Sequence, residues 1–377
     1  MKRRTHPAGC SILEALCEAQ KIAFAPFIFQ ACVAARRLGL LAAMGSASPQ
    51  GADEAQLVRE TGLTSYAVGA LVDALAAAGV CERSAQGLVR LTKTGECLAY
   101  DAMTGVNLDF TADVCYAGLA RLQQSLVSGR PEGLRELTPQ AHWETIYPAL
   151  SSLPEPARTS WFAFDHYYSD RYFDALAARI AAVLKPRRLF DVGGNTGKFA
   201  RAMLSAAPGV QVTIVDLPQQ CRLARSNPAL SEVRTRLQTA SVNWLEPEAM
   251  PRLEDADSAG ETPSGADVIW MSQFLECFPS ETAVSILRRC RRMLAPSGSF
   301  AVLESLVDGQ KWPASSLSLA ASSLYFTAMA NGNSRFYRRL DLLEIFKAAG
   351  LVVVHEETGL GVSHTLFVCK PQTAQPT

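Results

Sequence analysis

The sequence predicts an α/β fold in which a mostly parallel β-sheet is covered by helices on both faces and follows a helical domain. Strand-like runs alternate with helical runs from residue 185 onward, a pattern typical of parallel sheets. A glycine-rich turn follows the first of these strands, where such sheets bind ligands. The first hundred residues show helical periodicity instead, and 377 residues exceed one compact core, so we expect two domains.

The N-terminal domain, residues 1–100, has the element order of a winged helix. The segment 52–63 predicts a helix that ends in a turn at Gly62. A second helix over 64–80 and a short polar hairpin follow. Such a module either packs against other protein elements or binds DNA. Because residues 64–80 contain no Lys or Arg, we expect a packing or dimerisation module and no nucleic-acid partner.

Composition limits the classes of function. Lys and Arg total 36, as do Asp and Glu, so no excess of positive charge attracts nucleic acid or an anionic membrane. No apolar run approaches the roughly 18 residues that span a bilayer. The ten cysteines are scattered, without a CxxC pair or a Cys/His cluster. We therefore expect a cytoplasmic protein with reduced cysteines, no membrane partner and no metal.

Residues 185–372 form the predicted sheet domain, followed by a short tail at 373–377. Its strands are expected at 187–192, 211–216, 266–271, 299–305, 351–357 and 363–370. Only a short loop, TGLGV, joins the last two strands, so the final strand should run antiparallel to its neighbours. The polar segment 246–265, rich in Pro and Gly, is predicted to be a surface loop.

The strongest chemical signal is the segment LFDVGGNTGKFA, which predicts a strand, a tight turn and the start of a helix. Its turn holds one acid and three glycines: Asp191, Gly193, Gly194 and Gly197. Glycines there let a ligand approach the backbone closely. Val192 takes the place of the first glycine of the dinucleotide fingerprint, and the P-loop pattern is absent. An acid before such a turn favours a cationic ligand over a pyrophosphate.

A second acid, Asp216, ends the next predicted strand, 25 residues after Asp191. An acid at that place in a doubly wound sheet can accept hydrogen bonds from two ribose hydroxyls. Two such acids on successive strands indicate a nucleoside ligand.

Residues 101–184 are expected to form a helical connector that lines a substrate pocket. Six of the sixteen residues at 161–176 are Phe or Tyr, too many to face one core, so some are candidates for a wall around a flat ligand. His166 lies in the same stretch and is a candidate base, since a histidine titrates in the useful range.

Five motifs occur in a fixed order along the chain: FDVGGNTG, VDLP, SQFLECFPSE, ILRRCRRMLAPSG and VLES. With them the chain resembles, over most of its length, the small-molecule O-methyltransferases of plants and bacteria. The resemblance implies a Rossmann-like class I methyltransferase sheet preceded by a winged-helix dimerisation domain, and therefore a homodimer. It also implies S-adenosyl-L-methionine as the cofactor and a small aromatic, phenolic natural product as the acceptor.

The resemblance also assigns residues to both ligand sites. It places the cofactor against Asp191, Gly193, Gly194, Gly197, Asp216, Leu217, Asn243, Trp244, Ser272 and Gln273. Asn243 and Trp244 stand where the family usually has an acid and an aromatic beside adenine. The acceptor is expected to contact Phe162, Tyr167, Tyr168, Phe274, Tyr325 and Met329.

The chain departs from the family at the catalytic base. Glu276 stands where the family has a histidine, Glu304 keeps the supporting carboxylate, and the loop 331–339 has no second acid. Three interpretations stay open. Glu276, with its pKa raised by burial, takes a phenol proton; His166 or a tyrosine beside it does so; or the acceptor atom is a ring carbon, an amine or a carboxylate that needs little base.

A methyltransferase acting on a phenolic oxygen is therefore the favoured prediction, with Glu276, Glu304 and His166 as its catalytic candidates. Methylation of a ring carbon or a nitrogen is the alternative within the same class. A catalytically silent protein that only binds the cofactor is the alternative outside it.

Overall fold

The computed structural model describes residues 11–138, 143–254 and 259–372. The chain forms two compact units, of which the first ends at Ala112 and the second begins at Asp113. The predicted tail at 373–377 lies outside the described residues.

The first unit is helical with one small hairpin. Its elements are α1 (Ile12–Arg37), α2 (Leu40–Ser46), α3 (Glu54–Thr61), α4 (Ser65–Ala77), β1 (Cys81–Arg83), β2 (Val89–Leu91), α5 (Lys93–Tyr100) and α6 (Ala102–Phe110). Gly62 ends α3 in the left-handed region at φ 72°, and the Thr64 hydroxyl caps α4 by accepting the backbone N–H of Ala67 at 3.2 Å. Strands β1 and β2 pair antiparallel, which confirms the predicted winged-helix order.

No single helix among the residues that the structure describes is long and apolar enough to cross a membrane. Helices α1 and α2 meet that test of length and composition only as a pair, with a bend of 67° between them.

The second unit contains helices on both sides of a sheet. The helices are α7 (Tyr116–Leu119), α8 (Leu122–Ser128), α9 (Ala157–Ser169), α10 (Phe173–Val183), α11 (Lys198–Ala206), α12 (Pro218–Ser226), α13 (Ser280–Arg291), α14 (Pro313–Tyr325) and α15 (Arg339–Ala348). Among the 3₁₀ turns of this unit, Asp170–Tyr172 joins α9 to α10 and Leu275–Cys277 precedes α13. A π-helical turn, Phe326–Ala330, continues α14.

The sheet has eight strands in the order β6-β5-β4-β3-β7-β8-β10-β9. They are β3 (Arg188–Val192), β4 (Gln211–Asp216), β5 (Leu237–Ser241), β6 (Arg252–Leu253), β7 (Ala266–Ser272), β8 (Leu294–Ser305), β9 (Leu351–Leu360) and β10 (His364–Pro371). The five central strands β5, β4, β3, β7 and β8 pair parallel, and β10 pairs antiparallel with both β8 and β9. The predicted sheet, with its antiparallel last strand, is confirmed.

Two strands were not predicted. β5 has the sequence LQTAS, whose single large apolar residue gives no strand pattern, and it forms because β4 supplies a parallel partner along its whole length. β6 lies in the segment 246–265 that was predicted to be a loop, and its two residues pair antiparallel with β5. The prediction of an irregular loop was therefore wrong for Arg252 and Leu253.

Alternation along the strands fills a separate core on each face of the sheet. On β3, Leu189 joins the core beneath α10 and α11, whereas Phe190 and Val192 join the core beneath α13 and α15. Because β3, β4, β7 and β8 run in the same direction, their last residues lie at one edge of the sheet, here called the carboxyl edge. These residues are Val192, Asp216, Ser272 and Ser305.

Candidate active site

The glycine turn after β3 is built tightly around a buried acid. Asp191 is 2% exposed, and no group donates a hydrogen bond to its Oδ2 atom. A Cβ atom on Gly194 would lie 2.8 Å from the Asp191 carboxyl carbon, and one on Gly193, at φ 76°, would lie 2.4 Å from the Phe274 ring. Gly197, at φ 83°, is the N-cap residue of α11. Larger residues would therefore displace the turn at all three positions.

The second predicted acid, Asp216, is fixed by the backbone. The N–H of Asn195 donates to its Oδ2 at 2.8 Å, and the N–H of Leu217 donates to its Oδ1 at 2.7 Å. Burial raises the pKa of Asp216 to about 6, although these two hydrogen bonds oppose the shift. Each oxygen retains a free lone pair, so the carboxylate can still accept hydrogen bonds from a ligand.

The two acids affect each other. Burial, with a contribution from the charge of Asp216, raises the pKa of Asp191 to about 8. At neutral pH without a ligand, Asp191 therefore holds a proton, and a cation placed against its unpartnered oxygen would favour the ionised form.

This pKa predicts that the ligand-free protein loses stability as the pH rises. Between the ordinary pKa of 3.8 and the raised value of about 8, folded Asp191 keeps a proton that the unfolded chain releases. We expect the free energy of unfolding to fall across this window, by up to about 1.4 kcal/mol per pH unit from this group, and the contribution of Asp191 to level off above it.

Urea unfolding at a series of pH values measures this slope of the free energy of unfolding against pH. Asp191→Asn should reduce it, and the exposed Asp174→Asn should not; an equal slope in both variants would contradict the assignment.

The loop after β5 holds the two residues expected beside adenine. The Asn243 amide is occupied locally, because its Oδ1 accepts the N–H of Leu245 at 3.1 Å and its Nδ2 donates to Glu246 at 3.2 Å. Trp244 is 5% exposed and packs in the core, with the Arg289 guanidinium 5.0 Å from its ring centre. The loop adjoins Asp216 through the hydrogen bond from the N–H of Val242 to the Asp216 carbonyl at 2.9 Å. The loop backbone thus adjoins the second acid, whereas the two side chains are held by their own loop and by the core.

The rim after β7 bends around Glu304 at the end of β8. Gln273 adopts a left-handed conformation at φ 49°. The following N–H groups, of Phe274 and Leu275, both donate to Glu304 Oε1, at 3.1 and 2.8 Å. Glu304 is fully buried, and the Ser272 hydroxyl oxygen beside this turn is buried without a partner.

Glu276 and Glu304 form a buried carboxyl pair. Glu276 is 5% exposed, and no N–H or hydroxyl group donates a hydrogen bond to the Oε2 atom of either residue. Burial raises the pKa of Glu276 well above its ordinary value, and the charge of Glu304 raises it further. Burial also raises the pKa of Glu304, which its backbone hydrogen bonds partly oppose. The two carboxyls are within hydrogen-bond reach of each other, so ionising both at once is disfavoured.

The loop that lacks the second acid holds the rim by an amide instead. Asn331 Nδ2 donates to the Cys277 carbonyl at 2.7 Å and to the Tyr147 hydroxyl at 3.2 Å. The Tyr337 hydroxyl donates to the Phe278 carbonyl at 2.6 Å. The rim is therefore fixed on both sides of Glu276 without a further carboxylate.

Helix α9 brings aromatic and acidic side chains towards this rim. Trp161 Nε1 donates to the Tyr325 hydroxyl at 2.7 Å. Asp165, one turn later on the same helix face, adds to the rise in the pKa of Glu276 that burial and Glu304 cause. His166 Nδ1 lies 3.6 Å from Asp170 Oδ1, its ring stacks on Phe162 with centroids 5.8 Å apart, and Asp170 also pairs with Lys198 at the start of α11.

The comparisons with known proteins agree with this geometry. A family model described as a methyltransferase domain matches residues 164–356, which are 193 of the 377 residues. The chain belongs to the methyltransferase family. A second model, described as a Dimerisation2-like domain, matches residues 17–85 of the methyltransferase.

Curated relatives and solved structures support the same assignment. The O-methyltransferase SfmM3 of Streptomyces lavendulae is 24% identical over 305 residues, covering 78% of this chain and 83% of the relative. The 3-amino-4-hydroxybenzoate 4-O-methyltransferase of Streptomyces cremeus is 25% identical over 263 residues, covering 63% and 67%. The structure of the S-adenosylmethionine-dependent methyltransferase SibL superposes with a TM-score of 0.69 at 21% identity, over 95% of this chain and 100% of that one. The methyltransferase uses S-adenosyl-L-methionine, as predicted.

Not every predicted acceptor residue packs at the rim. Tyr325 contacts Trp161, and Phe274 lies against Gly193 and forms an edge contact with Phe278, with centroids 5.0 Å apart. Tyr167 and Tyr168 pack against each other, with centroids 5.3 Å apart, and Arg171 covers the ring of Tyr167. Met329 is fully buried, and its sulfur lies against the backbone of Gly118, filling the space that a side chain there would need.

The sequence-based interpretation overlooked two polar residues near the rim. Asp165 lies within the aromatic stretch, and its spacing of four residues from Trp161 on a predicted helix was the available signal. His364 begins β10 and is 1% exposed, with its Nε2 2.5 Å from Gln273 Oε1. An antiparallel last strand begins at the carboxyl edge, so a histidine at its start has to lie there. The position of His364 could therefore have been predicted from the expected topology.

Proposed function

We propose that the methyltransferase transfers a methyl group to a hydroxyl oxygen of a small aromatic acceptor. The observation that carries the proposal is the Glu276–Glu304 pair, two buried carboxyls with raised pKa values at the carboxyl edge. The names of two curated relatives, both O-methyltransferases, support the choice of oxygen.

The residues at the carboxyl edge fit the cofactor. Asp191 is a buried acid whose Oδ2 atom has no partner, so a cationic ligand placed against it would favour its ionised form, and the glycines beside it provide backbone without side chains. In the proposal, Asp191, Gly193, Gly194 and Gly197 hold the charged methionine part, and Asp216 holds the ribose. Leu217, Asn243 and Trp244 lie beside adenine, and Ser272 and Gln273 complete the wall. When bound, the cofactor supplies an activated methyl group, whose bond to a positively charged sulfur breaks as the acceptor oxygen attacks.

The protein's own chemical task is to remove the acceptor proton. The hydroxyl proton passes to Glu276 while the proton that Glu276 shares moves towards Glu304, so the pair changes from one negative charge to neutral. An isolated glutamate with a pKa of about 4.3 is a weak base for a phenol. Burial of the pair raises the pKa values of both carboxyls, which makes the pair a stronger base. Trp161 and Tyr325 would contact the acceptor ring.

A panel of acceptors tests the proposal. Incubation with methyl-labelled cofactor should transfer the label to phenols, and NMR of the product should place it on oxygen. The same compounds with the hydroxyl already methylated should gain no label. Label on nitrogen or on a ring carbon would contradict O-methylation. Binding of S-adenosyl-L-homocysteine without transfer to any acceptor would instead support a silent cofactor-binding protein.

We also propose that the enzyme works as a cytoplasmic homodimer joined through its first unit. The match to a dimerisation domain over 17–85 supports this. Helix α1 exposes a set of large apolar side chains that a second copy could cover: Ile12, Leu13, Leu16, Ile22, Phe24 and Phe27. The cysteines among the described residues are unpaired, as in a reducing compartment.

Light scattering on the eluting protein should give the mass of two chains. Replacing Ile22 and Phe27 by Asp should give the mass of one chain. A single-chain mass for the unaltered protein would contradict the dimer, and cell fractionation tests the compartment.

A further inference from the structure

His364 and Gln273 form a buried contact at the carboxyl edge. His364 is 1% exposed and stands opposite Ser305, the last residue of β8. Its Nε2 lies 2.5 Å from Gln273 Oε1. The Tyr172 ring packs near the imidazole, with centroids 6.4 Å apart. The contact thus joins the last strand of the sheet to the rim after β7, 91 residues away in sequence.

The imidazole is neutral and acts as a donor in this contact. Burial lowers the pKa of His364 to about 4. The amide oxygen of Gln273 only accepts, so Nε2 of the neutral ring carries the hydrogen. The other nitrogen, Nδ1, is buried without a partner. His364 is therefore a fixed hydrogen-bond donor and not a titrating group near neutral pH.

Gln273 needs such support because its backbone is strained. It is one of only four non-glycine residues with positive φ among those the structure describes, and the others are Lys185, Asn195 and Glu248. A glutamine in this region persists only when its surroundings hold it. Two contacts do so here: its N–H donates to the Leu303 carbonyl at 2.8 Å, and its side chain accepts from His364.

The strained turn determines where the next two backbone donors point. The N–H groups of Phe274 and Leu275 follow Gln273 directly and both reach Glu304 Oε1. A relaxed turn would turn at least one of them away, and Glu304 would lose part of the support that fixes it against Glu276.

We propose that His364 is a positioning residue, whose hydrogen bond to Gln273 holds the turn that directs two backbone donors onto Glu304 and so fixes the Glu276–Glu304 pair. The inference rests on the proposed function, because it assumes that this pair takes the acceptor proton. His364 acts through Gln273 and need not touch either ligand.

The test compares two histidines on neighbouring strands. His364→Leu removes the donor, and His355→Leu makes the same chemical change on β9, where the side chain is 51% exposed. We expect His364→Leu to lower kcat about 10- to 100-fold through misplacement of the base. The KM for the acceptor and the affinity for S-adenosyl-L-homocysteine should change less than about threefold. His355→Leu should match the unaltered enzyme. A purely structural role would lower the melting temperature and leave kcat of the folded enzyme unchanged.

A second variant reaches the same contact from the other side. Gln273→Asn tolerates the left-handed backbone, but its shorter amide does not reach His364. It should lower kcat by a similar factor, and the double variant should be no worse than either single one, because both remove one interaction. If His364→Leu does not fold, Gln273→Asn decides the question. Unchanged kcat in Gln273→Asn, or additive losses in the double variant, would overturn the proposal.

NMR of the histidine ring nitrogens separates this inference from the proposed function. His364 should show the neutral form with hydrogen on Nε2 across the neutral pH range, and the Nε2 signal should shift in Gln273→Asn. A titrating ring, or hydrogen on Nδ1, would overturn the contact itself. If the contact is present but no acceptor gains a methyl group, the proposed function fails instead.

Discussion

Asp216→Asn should weaken binding of S-adenosyl-L-homocysteine about 100-fold, as titration calorimetry measures it. The carboxylate would accept two charge-assisted hydrogen bonds from the ribose, each contributing about 1.5–3 kcal/mol. An amide loses the charge and can accept through only one atom. Its NH₂ group would also face one of the two N–H groups, of Asn195 and Leu217, that hold the carboxylate. A loss of about 3 kcal/mol corresponds to roughly 100-fold in affinity.

The chain offers a matched control at the opposite edge of the sheet. Asp267, near the start of β7, accepts the N–H groups of Arg187 and Arg188 through Oδ2 at 2.8 and 2.9 Å. Asp267→Asn therefore removes a carboxylate that likewise holds two backbone donors. Both variants should lose similar stability in urea, but only Asp216→Asn should lose affinity. Equal losses of affinity would show that Asp216 supports the fold and does not hold the ribose.

The parts of the fold and site that the sequence predicted are those that depend on neighbours along the chain. Alternating strands and helices predicted the parallel strands β3, β4, β7 and β8, and with them the carboxyl edge, where Asp191 and Asp216 lie at the ends of successive strands. β5 was missed because LQTAS becomes a strand only through its pairing with β4. The local sequence of β5 does not show that a neighbouring strand will stabilise it by pairing.

The arrangement of the rim depends on distant residues and was not predictable in detail. Glu276 and Glu304 were each identified, but their raised pKa values follow from burial by elements far apart in sequence. His364 reaches Gln273 only because β10 inserts beside β8 with His364 opposite Ser305. For Trp244, the local sequence suggested a contact that the fold does not favour. Its place after a strand predicted a position beside adenine, whereas in the structure its ring packs under Arg289. Its role beside adenine stays a prediction.

The Glu276→Gln variant should lower kcat for an ordinary phenol about 100-fold or more, within the range for loss of a general base. Glutamine fills the same space and can still donate a hydrogen bond to Glu304, but it cannot take the acceptor proton. Binding of S-adenosyl-L-homocysteine should be unaffected. Glu281→Gln, an exposed change in the first turn of α13, provides the control and should keep full activity.

The acidity of the acceptor decides whether Glu276 removes a proton or only holds the substrate. A phenol acidic enough to be ionised at the assay pH needs no base. The loss of kcat in Glu276→Gln should therefore become smaller as the phenol pKa falls. In the unaltered enzyme, the pair works as a base only while it carries its negative charge. Because burial raises the pKa of Glu304 above the ordinary 4.5, kcat/KM should fall on the acid side at a pH above that value. If Glu276→Gln lowers kcat equally for acidic and ordinary phenols, Glu276 only positions the acceptor. The proton would then have to leave through another group. The next candidate is His166, which lies between Asp165 and Asp170.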